Sequence, residues 1–321
     1  MRHKRVDTVD CLTPYFLLQI CIIMANVSHS APKPEWLKIR PPGGENYSRI
    51  KELLRSLKLH TVCEEAKCPN VSECWGGGTA TVMLMGDTCT RACRFCHVKS
   101  GNPKGVLDLN EPVNVASAIA ELKLRYVVLT SVDRDDLPDG GADHFARTVE
   151  EIKKRSPETL VEVLIPDFQG DDKSVERICL SGVDVIAHNI ETVERLTSTV
   201  RDKRCGYQQS LNVLKKVKDF FPKIYTKSSV MVGLGETQDE IYKAMDDLRK
   251  VGVQIVTFGQ YLRPTTWHLP VEEYVHPDIF KDYERVGLEK GFLCVPSGPL
   301  VRSSYRAAEK FLEGLLRSRA N

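Results

Sequence analysis

Six of the chain's 11 cysteines fall in two triplets, and no other feature restricts the chain as strongly. Cys63, Cys68 and Cys74 stand in CEEAKCPNVSECW, with four and five residues between them. Cys89, Cys93 and Cys96 stand in CTRACRFC, with three and two between them. The second spacing lets one short loop place three thiolates around a single iron–sulfur cube. Such a cube has four irons, so three ligands leave one iron free, whereas a pure electron carrier normally closes that position with a fourth cysteine. An open iron implies chemistry.

Two simpler readings compete. His97 follows Cys96 directly, so Cys89, Cys93, Cys96 and His97 would make a Cys3His zinc site. Adjacent residues close poorly on one ion, however, and the paired C-x2-C knuckles of zinc folds are missing. Disulfides are the second alternative, but a chain of 321 residues can bury a core of its own and needs no covalent staples. The other cysteines are scattered. Cys179 lies on a helical pattern and Cys294 in an apolar run, and both read as small buried hydrophobes. Cys205 stands in a polar loop and reads as a surface thiol.

A formal net charge of +2 argues against a general nucleic-acid binder. Basic runs such as Lys215–Lys218 read as solvated helix faces. Residues 1–33 differ from the rest: basic Arg2–Arg5 precedes an apolar run, Tyr15–Ala25, broken only by Gln19. That run falls short of the about 20 apolar residues a membrane span requires, though it resembles the apolar core of a signal peptide. Secretion fits badly with free thiolates and oxygen-labile clusters. A mitochondrial transit peptide should be poor in acidic residues, yet Asp7 and Asp10 are present. The preferred reading starts translation at Met24 and places the protein in the cytoplasm. The alternative is a targeting or membrane-associated lead, with the mitochondrial matrix as one destination.

From residue 79 onward, strand-like and helix-like patterns alternate. Thr79–Met85, Tyr126–Thr130, Leu160–Ile165, Val183–Ala187, Ile224–Val232 and Gln254–Phe258 read as strands, several of them nearly continuous apolar runs that suit parallel strands covered on both faces. Leu211, Leu214, Val217 and Phe221 share one helical face before Pro222. Thr237 and Glu240 have capping-box spacing, and Gly252 ends that helix. Ser48–Leu59 reads as a helix, and the chain after Pro277 as helix, short strand and terminal helix. Six βα units predict an α/β fold, a partial (βα)6 TIM-type barrel rather than a closed barrel of eight. The expected organisation is a lead (1–33), an N-terminal extension with the first triplet (34–78), the barrel (79–265) and a C-terminal extension (266–321). The second triplet follows the first strand at its C-terminal end, where α/β barrels carry their active sites.

The C-x3-C-x2-C string with Phe95 before its last cysteine resembles the radical S-adenosylmethionine (SAM) superfamily. Other segments resemble lipoyl synthases in particular, in the family's order: the first triplet with CPN and ECW, TSVDRDDLPDGGA at 130–142, HNIET at 188–192, MVGLGET at 231–237, GQYLRPT at 259–265 and SGPLVRSSYRA at 297–307. The resemblance runs from Pro34 to Ala307, and it too implies a partial barrel, with both extensions covering the barrel mouth. It implies that Cys89, Cys93 and Cys96 hold a catalytic 4Fe–4S cluster whose open iron binds SAM. It also implies that Cys63, Cys68 and Cys74 hold an auxiliary 4Fe–4S cluster, with Ser304, the second serine of RSSY, on its remaining iron. An alkoxide matches iron–sulfur chemistry less well than a thiolate, which suits a ligand meant to be displaced. The alternative for Ser303 and Ser304 is helix capping before 305–316.

For SAM itself, the superfamily uses groups at barrel strand ends. Thr130, Ser131 and Asp133 follow one strand, Asn189 and Glu191 another, and Gln260 and Leu262 the last. Phe95 reads as a backbone neighbour of the adenine, and Gly233 and Gly235 as points of close approach. Arg201 and Arg302 would steady a carboxylate. Each of these could instead form a turn or a core contact. Lys203, Arg204 and Cys205 lie outside the family's pattern.

The implied reaction inserts two sulfur atoms, at C6 and C8, into a protein-bound octanoyl chain. Those C–H bonds lie beyond any side-chain base, so a carbon radical would abstract hydrogen, consuming two SAM molecules per lipoyl group while the auxiliary cluster gives up its sulfur. The expected partners are an octanoylated lipoyl carrier domain or glycine cleavage carrier protein and a low-potential ferredoxin or flavodoxin. Neither nucleic acid nor stable membrane insertion is expected, and the chain is read as a monomer. Alternatives are another radical SAM sulfur-inserting enzyme and a non-catalytic iron–sulfur scaffold.

Overall fold

The computed structural model describes residues 32–38, 45–57, 59–65, 68, 70–76, 81–304, 312 and 314–315. Nearly all of the expected lead therefore lies outside the described residues, as does most of the expected terminal helix over 305–316.

The strands, in chain order, are β1 (His60–Thr61), β2 (Thr81–Leu84), β3 (Thr88–Cys89), β4 (Lys99–Ser100), β5 (Tyr126–Ser131), β6 (Leu160–Leu164), β7 (Val185–Ala187), β8 (Tyr225–Val232), β9 (Ile255–Gln260) and β10 (Ser297–Gly298). β2, β5, β6, β7, β8 and β9 form the six-stranded parallel centre of one sheet. These are the six strands read from the apolar runs, with ends shifted by one or two residues. β1 adds antiparallel to β2 at one edge, and β10 adds parallel to β9 at the other. The short edges come from the two extensions, so the chain flanking the barrel completes its sheet. β3 and β4 pair separately within the loop after β2.

A helix follows each central strand: Glu111–Leu122, Ala142–Arg155, Asp172–Cys179, Tyr207–Phe220, Gln238–Lys250 and Pro277–Glu289. Local chemistry sets their ends. Thr237 and Glu240 form the expected reciprocal capping box, and Gly252 adopts φ +83° just past the C-terminus. Leu211, Leu214 and Val217 are buried on one helical face, as their spacing predicts. The N-terminal extension contributes the helix Glu45–Ser56 and two short helices, Val62–Glu65 and Val71–Gly76. No helix among the described residues is long and apolar enough to cross a membrane.

Alternation divides the strands between two environments. Val127, Leu129, Val161, Val163 and Ile186 pack against the helices in one core. On the opposite face Tyr126, Val128, Val185, Tyr225 and Ile255 meet Leu312 of the C-terminal stretch. That face also holds a buried ion pair, Lys227 Nζ to Glu162 Oε1 at 2.7 Å, with Tyr126 donating to Glu162 Oε2 at 2.6 Å. Burying two charges is costly unless both find partners, and the tyrosine supplies the second bond to the carboxylate. The strands are thus buried on both faces, which is why they read as apolar runs rather than alternating ones.

Candidate active site

The loop carrying Cys89, Cys93 and Cys96 leaves β2 at Met85, whose φ is +66°. The Met85 N–H is clamped by both oxygens of buried Glu111 at 3.1 and 2.9 Å, and Glu111 is in turn bonded to His144 at 2.7 Å. Gly141, from the DLPDGGA segment, packs beneath this exit. A Cβ there would stand 2.2 Å from Met85 Sδ, and its φ of +85° is one that side chains resist. Farther along, Thr90 N donates to Asp133 O and Arg94 N to Val200 O, each at 2.9 Å. The loop is therefore stitched to the segment just after β5 and to the short helix Thr197–Val200.

The sulfurs meet pre-placed donors. Arg91 N and Asp133 N point at Cys89 Sγ at 3.4 and 3.3 Å, and Asp202 N points at Cys93 Sγ at 3.2 Å. Backbone N–H groups aimed at sulfur favour the thiolate and so suit iron ligation. Burial pushes Cys89 up to about 12, with Asp133 adding to it, and Cys96 up to about 11. Iron would supply a compensating positive charge. The His97 Nδ1 lies 2.9 Å from Glu65 O and its ring stacks on His268. Among the described residues no three His, Cys, Asp or Glu side chains converge as a single ion requires.

Around the loop lies a charge network that the sequence did not announce. Arg91 is 2% exposed in its side chain and is gripped by Asp167 at 2.6 Å and Asp135 at 2.9 Å, with Asp133 3.4 Å away. Burial and the neighbouring aspartates raise Asp133 to about 6. Cys205 is not a surface thiol. It is buried against Cys93, with Arg91 Nη1 3.2 Å from its sulfur. The contact with Cys93, helped by Arg201 and Arg91, draws Cys205 down, while the same contact and then burial push Cys93 up. Spacing gave no sign of this, because residue 205 follows a different strand.

The strand-end residues divide into two groups. Ser131 Oγ, Asn189 Oδ1 and Arg201 Nε are buried without a hydrogen-bond partner. Asn189 also donates to Glu191 Oε1 at 3.1 Å, and burial raises the Glu191 carboxyl. Unmet buried polar atoms are costly, so these three are the strand-end groups with hydrogen-bonding capacity still open. Thr130 bonds to Leu164 O at 3.2 Å, so its hydroxyl is partly engaged. Phe95 packs with Val200, Leu234 and Tyr261, and Leu262 is half-buried just beyond β9. Gln260 is different. Its Nε2 donates to Val232 O, Tyr261 O and Glu273 O, and its Oε1 accepts from Val275 N. Both N–H donors and one acceptor position of that amide go to backbone, so it ties loops together. Gly233 serves the same junction, since a Cβ there would lie 2.2 Å from Gln260 Nε2.

Cys63 and Cys74 sit on the short helices of the extension, with Cys68 between them. Cys63 is buried, which pushes its thiol up to about 11. Cys68 N donates to Cys63 O and Cys74 N to Asn70 O. Asn70 Nδ2 donates to Leu300 O at 2.6 Å, and Arg302 stands close enough to Cys68 to feel its charge. Ser304 lies two residues beyond, in the turn at 303–304. The extension thus touches the catalytic loop at Glu65–His97 and the C-terminal motif at Asn70–Leu300.

Residues 83–248 match the sequence profile of the radical SAM superfamily, and residues 24–68 match that of the N-terminal domain of lipoyl synthase of the radical SAM family. A lipoyl synthase of Anaeromyxobacter sp. (strain Fw109-5) is 60% identical over 290 residues, covering 90% of this chain and 98% of that relative. The apicoplast lipoyl synthase of Plasmodium yoelii yoelii is 57% identical over 289 residues, and the match covers 90% of this chain but 58% of that longer relative. The crystal structure of HydG, a maturase of the FeFe-hydrogenase, shares the fold with a TM-score of 0.53 at 14% identity, over 94% of this chain and 66% of that one. On the sequence matches, the chain belongs to the lipoyl synthase family of radical SAM enzymes.

Proposed function

We propose that this lipoyl synthase uses two clusters at one barrel mouth to convert a protein-bound N6-octanoyl-lysine to lipoyl-lysine, with sulfur inserted at C6 and C8. Membership in the family brings a 4Fe–4S cluster and SAM as cofactors, and a lipoyl-carrier protein and a reductant as partners. The finer assignments rest on the chain's own residues. Cys89, Cys93 and Cys96 hold the catalytic cluster, and Cys63, Cys68 and Cys74 with Ser304 hold the auxiliary one. The observation that carries this reading is the double attachment of the extension, Glu65 O to His97 at 2.9 Å and Asn70 to Leu300 at 2.6 Å. Two bonds so placed keep both triplets and the RSSY segment at the end of the barrel where strand-end residues gather.

When bound, the catalytic cluster and SAM supply a 5′-deoxyadenosyl radical for hydrogen abstraction, and the auxiliary cluster supplies sulfur. The protein's share is placement and exclusion. Ser131, Asn189 and Arg201 present the buried, unmet polar atoms that would orient SAM. Arg91, held by Asp135 and Asp167, keeps the loop between Cys89 and Cys93 fixed. Arg302 brings a positive charge beside Cys68, where negative charge collects. The two extensions screen the site from water and stray hydrogen donors. In this reading residues 34–78 and 266–321 are functional covers on a barrel spanning 79–265. The enzyme works as a cytoplasmic monomer on a carrier domain or glycine cleavage carrier protein, with a ferredoxin or flavodoxin as donor.

The test incubates anaerobically reconstituted protein with reductant, SAM and an octanoyl-lysyl peptide. Mass spectrometry should find a lipoyl peptide with about two deoxyadenosines per product, since each of two C–H bonds needs one radical. Deoxyadenosine without sulfur in the peptide would sink the auxiliary-cluster assignment.

A further inference from the structure

One imidazole joins the segments that carry the two triplets. His97 follows Cys96 directly, and its Nδ1 donates to Glu65 O at 2.9 Å, since a carbonyl can only accept. Glu65 closes the short helix Val62–Glu65, which carries Cys63, and Cys68 N donates to Cys63 O at 3.1 Å. Both cysteines therefore belong to the segment that His97 holds. The His97 ring also meets His268, with centroids 6.0 Å apart and planes 22° from parallel. His268 is buried and fixed at both nitrogens. Its Nε2 donates to Cys96 O at 2.9 Å, and the Thr265 hydroxyl donates to its Nδ1 at 2.8 Å. Leu269 N donates to Arg94 O at 3.1 Å, so the loop after β9 grips the catalytic loop at two points. The ring that reaches Glu65 thus packs on a neighbour that cannot turn.

We propose that His97 is a positioning residue that keeps the Cys63–Cys68 segment in register with the catalytic loop, and that its loss uncouples radical formation from sulfur insertion. This rests on the two-cluster reading given above. A carbon radical on the octanoyl chain must meet its sulfur before another hydrogen donor quenches it. A small displacement between the two sites therefore costs lipoyl product while SAM cleavage continues. The groups that fix the catalytic loop itself are separate from His97. Glu111 clamps its exit, Arg91 crosses it, and Thr90 N bonds to Asp133 O. Removing the imidazole leaves these in place and releases the extension at Glu65. The hydrogen bond and the stack on His268 are separable: the first sets where Glu65 sits, and the second only sets how the ring is backed.

The experiment measures deoxyadenosine and lipoyl peptide together, in anaerobically reconstituted full chain with reductant, SAM and an octanoyl-lysyl peptide. Wild type, His97→Ala, His97→Phe and His97→Asn are compared at equal iron content. Phenylalanine keeps a ring against His268 but cannot donate, while asparagine keeps an N–H near the position of Nδ1. In the alanine and phenylalanine variants the deoxyadenosine spent per lipoyl group should rise about fivefold, the change in population that one lost hydrogen bond brings. Asparagine should return the ratio most of the way to wild type. Where alanine costs iron loading, the phenylalanine and asparagine pair carries the test. A donor-less variant with the wild-type ratio overturns the proposal, and so does an asparagine variant as uncoupled as phenylalanine. Cys68→Ala, run alongside, tests the reading beneath: lipoyl peptide formed at the wild-type ratio in that variant would instead overturn the auxiliary-cluster assignment.

Discussion

The two cysteine triplets are held in different ways. The second rides on a loop clamped at its exit by Glu111, crossed by Arg91 and hydrogen-bonded to the segments after β5 and β7. Its sulfurs meet backbone donors already in place. The first rides on two short helices and the segment between them, outside the barrel, anchored at Glu65 and Asn70 to loops that lie far away in the chain. Among the described residues, the second triplet is bonded into the strand-end loops of the sheet, and the first lies on the flanking extension. On the two-cluster reading proposed above, the cluster on the extension would be the consumable one, taken apart and rebuilt outside the sheet. Cysteine spacing names the two ligand sets, while the fold sets what lies around each.

The largest effects should come from breaking either triplet. Cys93→Ala should abolish both deoxyadenosine formation and lipoyl product, a loss of at least about a thousandfold, because the radical source is gone. Cys68→Ala should leave deoxyadenosine formation and abolish only sulfur transfer. Measuring both products in both variants tests the division, and equal loss of deoxyadenosine in the two would erase it.

Ser304→Ala probes the consumable site more gently. It should spare SAM cleavage and depress sulfur insertion, read as the ratio of lipoyl peptide to deoxyadenosine. Normal lipoyl yield would remove Ser304 from the ligand set and leave it as a helix cap.

Rigidity of the second site can be tested without cofactor. Arg91→Met strands buried Asp167 without its cation, leaving Asp135 only Arg204, and breaking a buried pair costs about 3–5 kcal/mol. The melting temperature should drop by about 10 °C, at roughly 2–4 °C per kcal/mol for a domain this large. A comparable loss in Arg302→Met would mean that the first site is held as firmly as the second.

The smallest expected effect is a pH slope. His188 Nδ1 donates to Ile165 O and its Nε2 accepts from the Ser210 hydroxyl, and burial, with Arg201 adding to it, lowers its pKa from 6.5 to about 4. The unfolded chain therefore binds the extra proton between those values. The stability from keeping His188 neutral is full above 6.5 and is lost as the pH falls toward 4, by up to about 3 kcal/mol. Denaturant midpoints of wild type and His188→Asn should converge as the pH falls through that window. Parallel curves would show that His188 does not titrate there.

Local patterns carried much of the fold. The six central strands appeared as apolar runs, and the Thr237–Glu240 box and the Leu211–Val217 face were set by spacings of a few residues. The ends of strands were less legible, because β9 continues to Gln260, where side-chain bonds to neighbouring loops hold it. At the candidate site the thiols could be listed from the sequence, but their surroundings could not. Gln260 gave no sign of its four backbone bonds, and Cys205 looked exposed.

The sequence by itself determined the two cysteine sets, the alternation of strands and helices and the order of the motifs, since each depends on neighbours along the chain. Only the tertiary structure decided what surrounds the second triplet. Arg91 meets Asp135, Asp167 and Cys205 across separations of 44, 76 and 114 residues. Those meetings follow from the parallel register of β2, β5, β6 and β7, which brings the loops after them to one end of the sheet. Register is set by packing and hydrogen bonds summed over the whole sheet, so no short window of sequence contains it.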